Sequence, residues 1–374
     1  MELKKSRTYQ MIKDILNQPP TLEKCLRENR VKIKVLAAQI KAKSYKKIFL
    51  VGCSTTMYAG IAGKFAFEEL GGIPTEVIPA CEFADFAHLT EDALLIAISR
   101  SGETGDILAA VSKAKERRMD ILALVEIHSS TLAKRADYVL PTYAGSEGMV
   151  SIKSYTNAIA LEYLLAIHLG RQLGRRSDEE TQRLLHQIEM VPQEIEKTIE
   201  RCEEEVISLA EKYTSQKNLC LLGRGPNYST AMEGMLLTKE AALAYAEAMH
   251  IGDLKHGHIN VINQNSLVII ICPDRRDNSI IRDLVNDVRD FQGQVVIIGR
   301  KDNQSLMGSS NNFISISTQL DELFSPLIYL IPLQLFAFYL GLAKGINPDH
   351  GPGSEKVGVF TRVGKRHVYS IRKR

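Results

Sequence analysis

The sequence predicts an α/β protein of two tandem domains, each a three-layer α/β/α sandwich with a mainly parallel sheet. Three observations carry this prediction. Short apolar runs alternate with amphipathic segments, the pattern of strands buried on both faces of a parallel sheet. The alternation starts afresh about 170 residues further on, and an internal duplication is the simplest account of an offset of domain length. The chain has 374 residues, 45% of them apolar and 24% charged, which suits two ordinary domains better than one core.

The elements follow in order. The N-terminal "MELKKSRTYQMIKDILNQPP" is charged throughout and reads as a helical lead-in, not a signal peptide. "KKIFLVGCS" (46–54), "ALLIAIS" (93–99) and "DILALVE" (120–126) are apolar runs bounded by polar turns, hence buried strands. Helices are expected to start near residues 57 and 104. The stretch 174–213 is highly charged but keeps apolar residues at helical spacing, so it reads as a long helical connector. Then "NLCLLGRGPNYSTA" (218–231) echoes "IFLVGCSTTMYAG" (48–60). "SLVIIICP" (266–273) echoes "ALLIAISR", and "QVVIIG" (294–299) echoes "DILALV". The expected divisions are 1–175 (lead-in and first domain), 176–213 (connector), 214–345 (second domain) and 346–374 (tail). "LFSPLIYLIPLQLFAFYLGLA" (323–343) is long enough to span a bilayer. Pro326, Pro332 and Gln334 within it, and the lack of a second candidate, favour a buried core helix.

Composition narrows the function. A net charge of +3 is close to balance and leaves no electrostatic footprint for nucleic acid. The six cysteines lie far apart with no CxxC pair, against a disulfide framework or zinc site and in keeping with a reducing cytoplasm.

Chemistry concentrates at strand ends, where ligands bind in open α/β sheets. The first half carries "CSTT" (53–56) and "SRSGET" (99–104) there; the second carries "GRGPN" (223–227) and "CPDRRDN" (272–278). Two hydroxyl-rich loops that each open a helix make an anion cradle, because a helix N-terminus adds partial positive charge and free N–H groups. Ordinary capping by Ser and Thr is the plainer reading of either loop alone. In the second half, "YSTAMEGMLLTKEAALAYAEAMHIGDLKHGH" (228–258) reads as a helix that stops near Gly252, followed by a loop. Glu233, Leu237, Glu240 and Glu247 fall at intervals of four, three and seven, on one helical face. Like charges on that face are expected to raise a carboxylate pKa. His256 follows in a glycine-flanked loop, and a carboxylate and a histidine can share proton transfers near neutral pH. His250 and His258 are equally plausible by residue type.

"SRSGET", "GRGPNYSTAMEG", "KEAALAYAEA", "GDLKHG" and "LAKGINPDH" together resemble the double sugar-isomerase (SIS) domain family. The resemblance is greatest to the isomerase portion of glutamine–fructose-6-phosphate aminotransferases and runs from about residue 10 to residue 357. It implies tandem flavodoxin-like domains and a hexose phosphate held by Thr55, Thr56, Ser99, Ser101 and Thr104. Arg100 stands where glutamine is usual and adds a charge. "VSIKSYT" (150–156) resembles a sugar-contacting stretch and points to Val150 and Ser151. Glu240 matches the glutamate that moves a proton between C1 and C2. His256 matches the histidine of ring opening, which the partner of a homodimer contributes to a shared site. Glu233 matches a further site carboxylate, and Lys356 a lysine that forms a Schiff base with the sugar ketone. The resemblance implies no cofactor, no metal, no nucleic acid and no membrane.

The departures count too. Leu237 replaces a lysine, and "DHGPGSEKVG" differs from the family's usual ending, so Lys356 rests on spacing alone. With no glutaminase portion in the sequence, the expectation is a stand-alone phosphosugar enzyme acting on an amino-substituted hexose 6-phosphate, as deaminase or deglycase. Simple aldose–ketose isomerisation ranks third, and a catalytically inactive sugar-phosphate sensor is the alternative from another class.

Overall fold

The computed structural model describes residues 7–274, 276, 278–310 and 312–350. They fall into two compact units, one of residues 20–146 and 153–189, the other of residues 7–19, 147–152 and 190–350. The charged N-terminal stretch forms helices α1 (Gln10–Leu16) and α2 (Gln18–Lys43).

The first unit is built on five parallel strands: β1 (Lys47–Gly52), β2 (Thr75–Pro79), β3 (Ala93–Ser99), β4 (Asp120–Val125) and β5 (Tyr138–Pro141), in the order β2-β1-β3-β4-β5. The three apolar runs are its central strands. Every residue of β3 is buried, and so is all but the first of β1 and β4. Leu50 of β1 lies opposite Val77 on one side and Ile96 on the other. The chain runs from β1 to β2 and then crosses back to β3, so the strand order reverses between β1 and β3. In open α/β sheets such a switch point is where a crevice for ligands forms, at the carboxyl ends of the two strands.

Around this sheet run α3 (Thr55–Ala66), α4 (Ala80–Phe86), α5 (Gly105–Glu116), α6 (Thr131–Arg135) and α7 (Lys153–Gln172). Phe49, Val51, Leu95, Ala97, Ile121 and Ala123 join Phe83, Ile107, Val111 and Leu132 in one core, with Phe83 edge-on to Phe49 at 5.6 Å between ring centroids. Helix α3 covers the other face. A Cβ on Gly60 would lie 3.3 Å from the Leu50 Cβ, so glycine sets how closely α3 approaches β1. The connector stretch forms α8 (Asp178–Lys212), a helix of 35 residues.

The second unit repeats the plan. Strands β6 (Asn218–Gly223), β7 (Tyr245–His250), β8 (Ser266–Cys272), β9 (Gln294–Arg300) and β10 (Phe313–Ile316) are parallel, in the order β10-β9-β8-β6-β7. Read from the other edge this is the order of the first sheet. The helices are α9 (Asn227–Ala242), α10 (Asn278–Asp290), α11 (Gln304–Met307), α12 (Ser325–Tyr329) and α13 (Ile331–Ala343). The stretch Glu322–Ala343 alone, among the described residues, is long and apolar enough to cross a membrane, and all of it from Leu323 to Gly341 is buried. It packs as a core helix: a Cβ on Gly341 would lie 2.3 Å from the Ala241 carbonyl of α9.

One expected element is corrected. The helix over 228–258 does not run to Gly252. It ends at Ala242, where Leu243 turns left-handed (φ 47), and "YAEAMH" becomes β7. This Ala- and Glu-rich segment favours helix by propensity, but pairing with β6 along its whole length, from Asn218–Tyr245 to Gly223–His250, prevails. Glu247 therefore leaves the face of Glu233 and Glu240 and stands exposed on an edge strand.

Candidate active site

The first set of residues sits at the crevice between β1 and β3. After β1, Gly52 gives way to Cys53 and Ser54, and α3 begins at Thr55. Ser54 adopts φ 48, a left-handed backbone that costs a non-glycine residue strain. A Cβ on Gly52 would lie 2.4 Å from the Met57 amide, so only glycine brings the strand this close to the helix start. Thr56 closes the turn: its hydroxyl accepts from the Cys53 N–H at 2.8 Å and donates to the Cys53 carbonyl at 3.1 Å. Its hydroxyl hydrogen is therefore directed into the turn, a loop-building role the sequence did not indicate. Burial, and then the Asp106 charge, push the Cys53 thiol up to about 12, so it stays protonated.

After β3 the chain makes the second loop. Ser99 is buried, accepts from the Gly102 N–H at 3.1 Å, and lies 3.3 Å from the Thr104 hydroxyl. Ser101 accepts from the Glu103 N–H at 3.2 Å. Gly102 needs its φ of 65, and a Cβ there would meet the Ser130 Oγ at 2.2 Å. Thr104 occupies the N-cap position of α5 and Ser54 that of α3, yet neither side chain makes a capping bond. Plain capping thus does not account for these hydroxyls. Two helices of 12 residues each begin here, at neighbouring strand ends, with Ser54, Ser99, Ser101 and Thr104 around them.

The loop is buttressed from behind by residues the sequence did not single out. Glu103 accepts from the Thr131 N–H at 2.7 Å, which holds its carboxyl below the usual range. Leu132 donates to the Gly102 carbonyl at 3.0 Å, and Glu126 donates to the Arg100 carbonyl at 3.2 Å. These contacts join residues 26 to 30 positions apart, beyond the reach of local spacing rules.

The second set lies in the other unit. Glu233 and Leu237 are buried on α9, and Glu240 is half-buried in its last turn. Glu233 and Glu240 stand two turns apart, about 10 Å along the axis, beyond the ~4–6 Å over which like charges shift a pKa strongly. Their shared face therefore does not bring the two charges together. His256 is exposed, directly after a 3₁₀ turn (Asp253–Lys255), and its N–H donates to the Asp253 carbonyl at 2.9 Å. His250 is exposed at the end of β7 and stacked on Tyr228 at 3.8 Å between centroids. His258 opens a second 3₁₀ turn and, with Glu247, Tyr245 and Cys220, lines a cavity of about 250 Å³. Val150 is buried and Ser151 half-buried, in the short segment Glu147–Ile152 that belongs to this same unit. Lys356 lies outside the described residues.

A family model described as the SIS domain matches residues 42–168 and 212–343. Isomerising glutamine–fructose-6-phosphate aminotransferases of Aquifex aeolicus and Thermococcus kodakarensis are 34% and 33% identical, over 91% of this chain and 56% of theirs. The chain thus spans little more than half the length of these relatives. The C-terminal domain of glucosamine-fructose-6-phosphate aminotransferase from Francisella tularensis is similar in fold, with a TM-score of 0.84 over 93% of this chain and 99% of that one, at 24% identity. A glucosamine-6-phosphate deaminase from Thermotoga maritima follows the same fold at a TM-score of 0.72 and 20% identity, over 92% and 97% of the two chains. With one matched module in each half, the chain belongs to the SIS domain family.

Proposed function

We propose that the protein is a phosphosugar enzyme acting on an amino-substituted hexose 6-phosphate by proton shuttling between C1 and C2. The observation that carries this is the pair of uncapped helix starts, ringed by hydroxyls, at the β1/β3 crevice. They supply N–H and O–H donors where a phosphate binds most readily. Kinship with the isomerase half of the aminotransferases supports the hexose phosphate.

In this reading Ser99, Ser101 and Thr104 hold the phosphate, with Thr55, Thr56 and Arg100 beside them and Val150 and Ser151 against the sugar. His256, supplied by the partner of a homodimer, opens the ring, and Glu233 lies near the reacting carbons. Glu240 takes the proton. For glucosamine 6-phosphate it moves from C2 to C1 and leaves an imine at C2, which water hydrolyses to fructose 6-phosphate and ammonia. For a fructosamine 6-phosphate it moves from C1 to C2 and leaves an imine at C1, which water hydrolyses to glucose 6-phosphate and the free amine. The same base serves both directions. Lys356 is assigned the Schiff base with the ketone.

The test is incubation with glucosamine 6-phosphate, fructosamine 6-phosphates and fructose 6-phosphate, with ammonia, free amine and hexose phosphate measured. Turnover of an aminated substrate is expected. Interconversion of plain hexose phosphates alone selects the simple isomerase. Binding without any turnover selects the sensor, the reading that Leu237 in place of lysine favours. A monomer by light scattering at micromolar concentration removes the shared site.

A further inference from the structure

We infer that Glu126 is a positioning residue of the anion site, tying the 99–104 loop to the loop that leaves β5. The inference rests on the reading of residues 99–104 as a phosphate anchor. Glu126 directly follows β4, and its backbone N–H donates to the Arg100 carbonyl at 3.2 Å. Its carboxylate faces the other way along the sheet. Oε2 accepts from the Thr142 hydroxyl at 2.5 Å and from the Ala144 N–H at 2.8 Å, and Oε1 accepts from the Gly145 N–H at 2.9 Å. One residue thus holds the two loops that flank the end of β4.

What it holds is a strained turn. Tyr143, between those donors, has φ 52, and Gly145 has φ 70. A left-handed aromatic residue persists only where its surroundings over-determine it, and such residues gather at ligand sites. Three charge-assisted bonds to the residues on either side supply that determination. Tyr143 is thereby set with its ring edge-on to His128 at 6.4 Å between centroids, and with the Lys24 and Lys32 ammonium groups 5.6 and 6.0 Å from its centroid. A fold-stabilising staple needs neither a carboxylate at this half-exposed position nor a link to the back of the phosphate loop. Loss of the carboxylate lets Tyr143 relax to a right-handed backbone; the Glu126 N–H still reaches the Arg100 carbonyl, but residue 126 is no longer anchored from the β5 side, so the 99–104 loop can shift with it.

Calorimetry with fructose 6-phosphate as the probe, alongside melting temperatures, tests this on the wild type and on Glu126→Ala, Glu126→Gln and Thr142→Val. Wild-type binding is expected. Glu126→Ala is expected to weaken it by at least about tenfold, because all three bonds that anchor residue 126 to the 142–145 turn are lost and the 99–104 loop moves with it. Glu126→Gln keeps an acceptor for Thr142 and Ala144 but turns an NH₂ towards the Gly145 N–H, so it falls between. Thr142→Val, lacking a single bond, falls nearest the wild type. On a substrate that turns over, KM is expected to rise in this same order with kcat little changed. If the wild type binds and the soluble, folded Gln and Val variants bind equally well, Glu126 is a staple only and the inference fails. If the wild type itself does not bind fructose 6-phosphate, the anchor reading fails first and takes the inference with it.

Discussion

After β1 the chain turns through Cys53, Ser54, Thr55 and Thr56 into α3; after β6 it turns through Arg224, Gly225, Pro226 and Asn227 into α9. Both turns leave a glycine with no room for a side chain: a Cβ on Gly223 would lie 2.1 Å from the Asn227 carbonyl, matching the crowding at Gly52. Both place their next residue but one left-handed, Ser54 at φ 48 and Gly225 at φ 55. Beyond the backbone the two ends diverge. In the second unit the polar groups are used internally: Asn227 donates to the Ser325 hydroxyl at 2.6 Å and accepts from Thr230 at 3.2 Å, all buried. After β8, the Cys272 thiol donates to the Asp274 carbonyl at 3.0 Å, and Arg276 bridges Asp274 and Glu322. The first unit presents hydroxyls and helix starts at these places; the second presents carboxylates and closed pairs. On one duplicated frame, the proposed function divides the labour, assigning the anion to the first sheet and the proton chemistry to α9.

The sharpest way to break that division is Glu240→Gln. A positioned general base is worth about a hundred- to ten-thousand-fold in rate. Turnover of a confirmed substrate is expected to fall by that factor while fructose 6-phosphate binding, held by the other unit, stays within about twofold. Wild-type turnover in this variant removes Glu240 from the chemistry.

The converse experiment changes the first unit. Ser101→Ala with Thr104→Ala is expected to weaken binding by about 1–3 kcal/mol for each charge-assisted bond lost. Thr230→Ala, at the matching helix of the second unit, is expected to leave binding unchanged. Equal losses from both would mean that the two strand ends do not differ in function.

Much of this comparison was legible in the sequence. Strands buried on both faces are continuous apolar runs, and β1, β3, β4, β6, β8 and β9 stand out for that reason. The edge strand β7 does not, because its exposure alternates irregularly and its Ala and Glu residues favour helix. That single misreading carried Glu247 onto α9. The hydroxyls of the two loops were legible as residue types, but not their separate tasks. That Thr56 closes its own turn while Thr104 leaves α5 uncapped depends on rotamers. Glu126 and Thr142, 16 residues apart, meet because β4 and β5 are neighbours, and no local pattern encodes that pairing.

The first unit also carries a buried acid outside the proposed site. Glu162 on α7 is 1% exposed, its two carboxyl oxygens have no hydrogen-bond partner, and it fills the space a Cβ on Gly63 of α3 would need. Burial pushes its pKa well above the usual carboxyl range, so the folded protein holds it protonated. The sign follows from linkage. The folded state binds this proton more tightly than the unfolded one, so the contribution is full below the unfolded carboxyl pKa and is lost as pH rises through the folded pKa. The melting temperature of the first unit is expected to fall over that rise. Glu162→Met, of similar length and without the acid, is expected to flatten the slope and to be more stable at the alkaline end. An unchanged slope, followed by calorimetric melts, would assign it to other groups.

The smallest expected effect tests the turns themselves. A Cβ on Gly225 meets nothing within 4 Å, so Gly225→Ala adds no clash and isolates the cost of a left-handed backbone. That cost is about 1 kcal/mol, or about 2–4 °C in melting temperature for a unit of this size. Ser54→Gly runs the exchange in reverse. It relieves the strain at φ 48 but gives the unfolded chain more freedom, so its net gain stays below about 1 kcal/mol. The two substitutions differ in function, however. Ser54 brings a hydroxyl to the start of α3, at the proposed phosphate, whereas Gly225 brings none to α9. Ser54→Gly is therefore expected to weaken fructose 6-phosphate binding slightly while raising stability, and Gly225→Ala to lower stability with binding untouched. If Ser54→Gly binds the sugar phosphate as tightly as the wild type, the strain at this turn serves the path of the chain and not the anion.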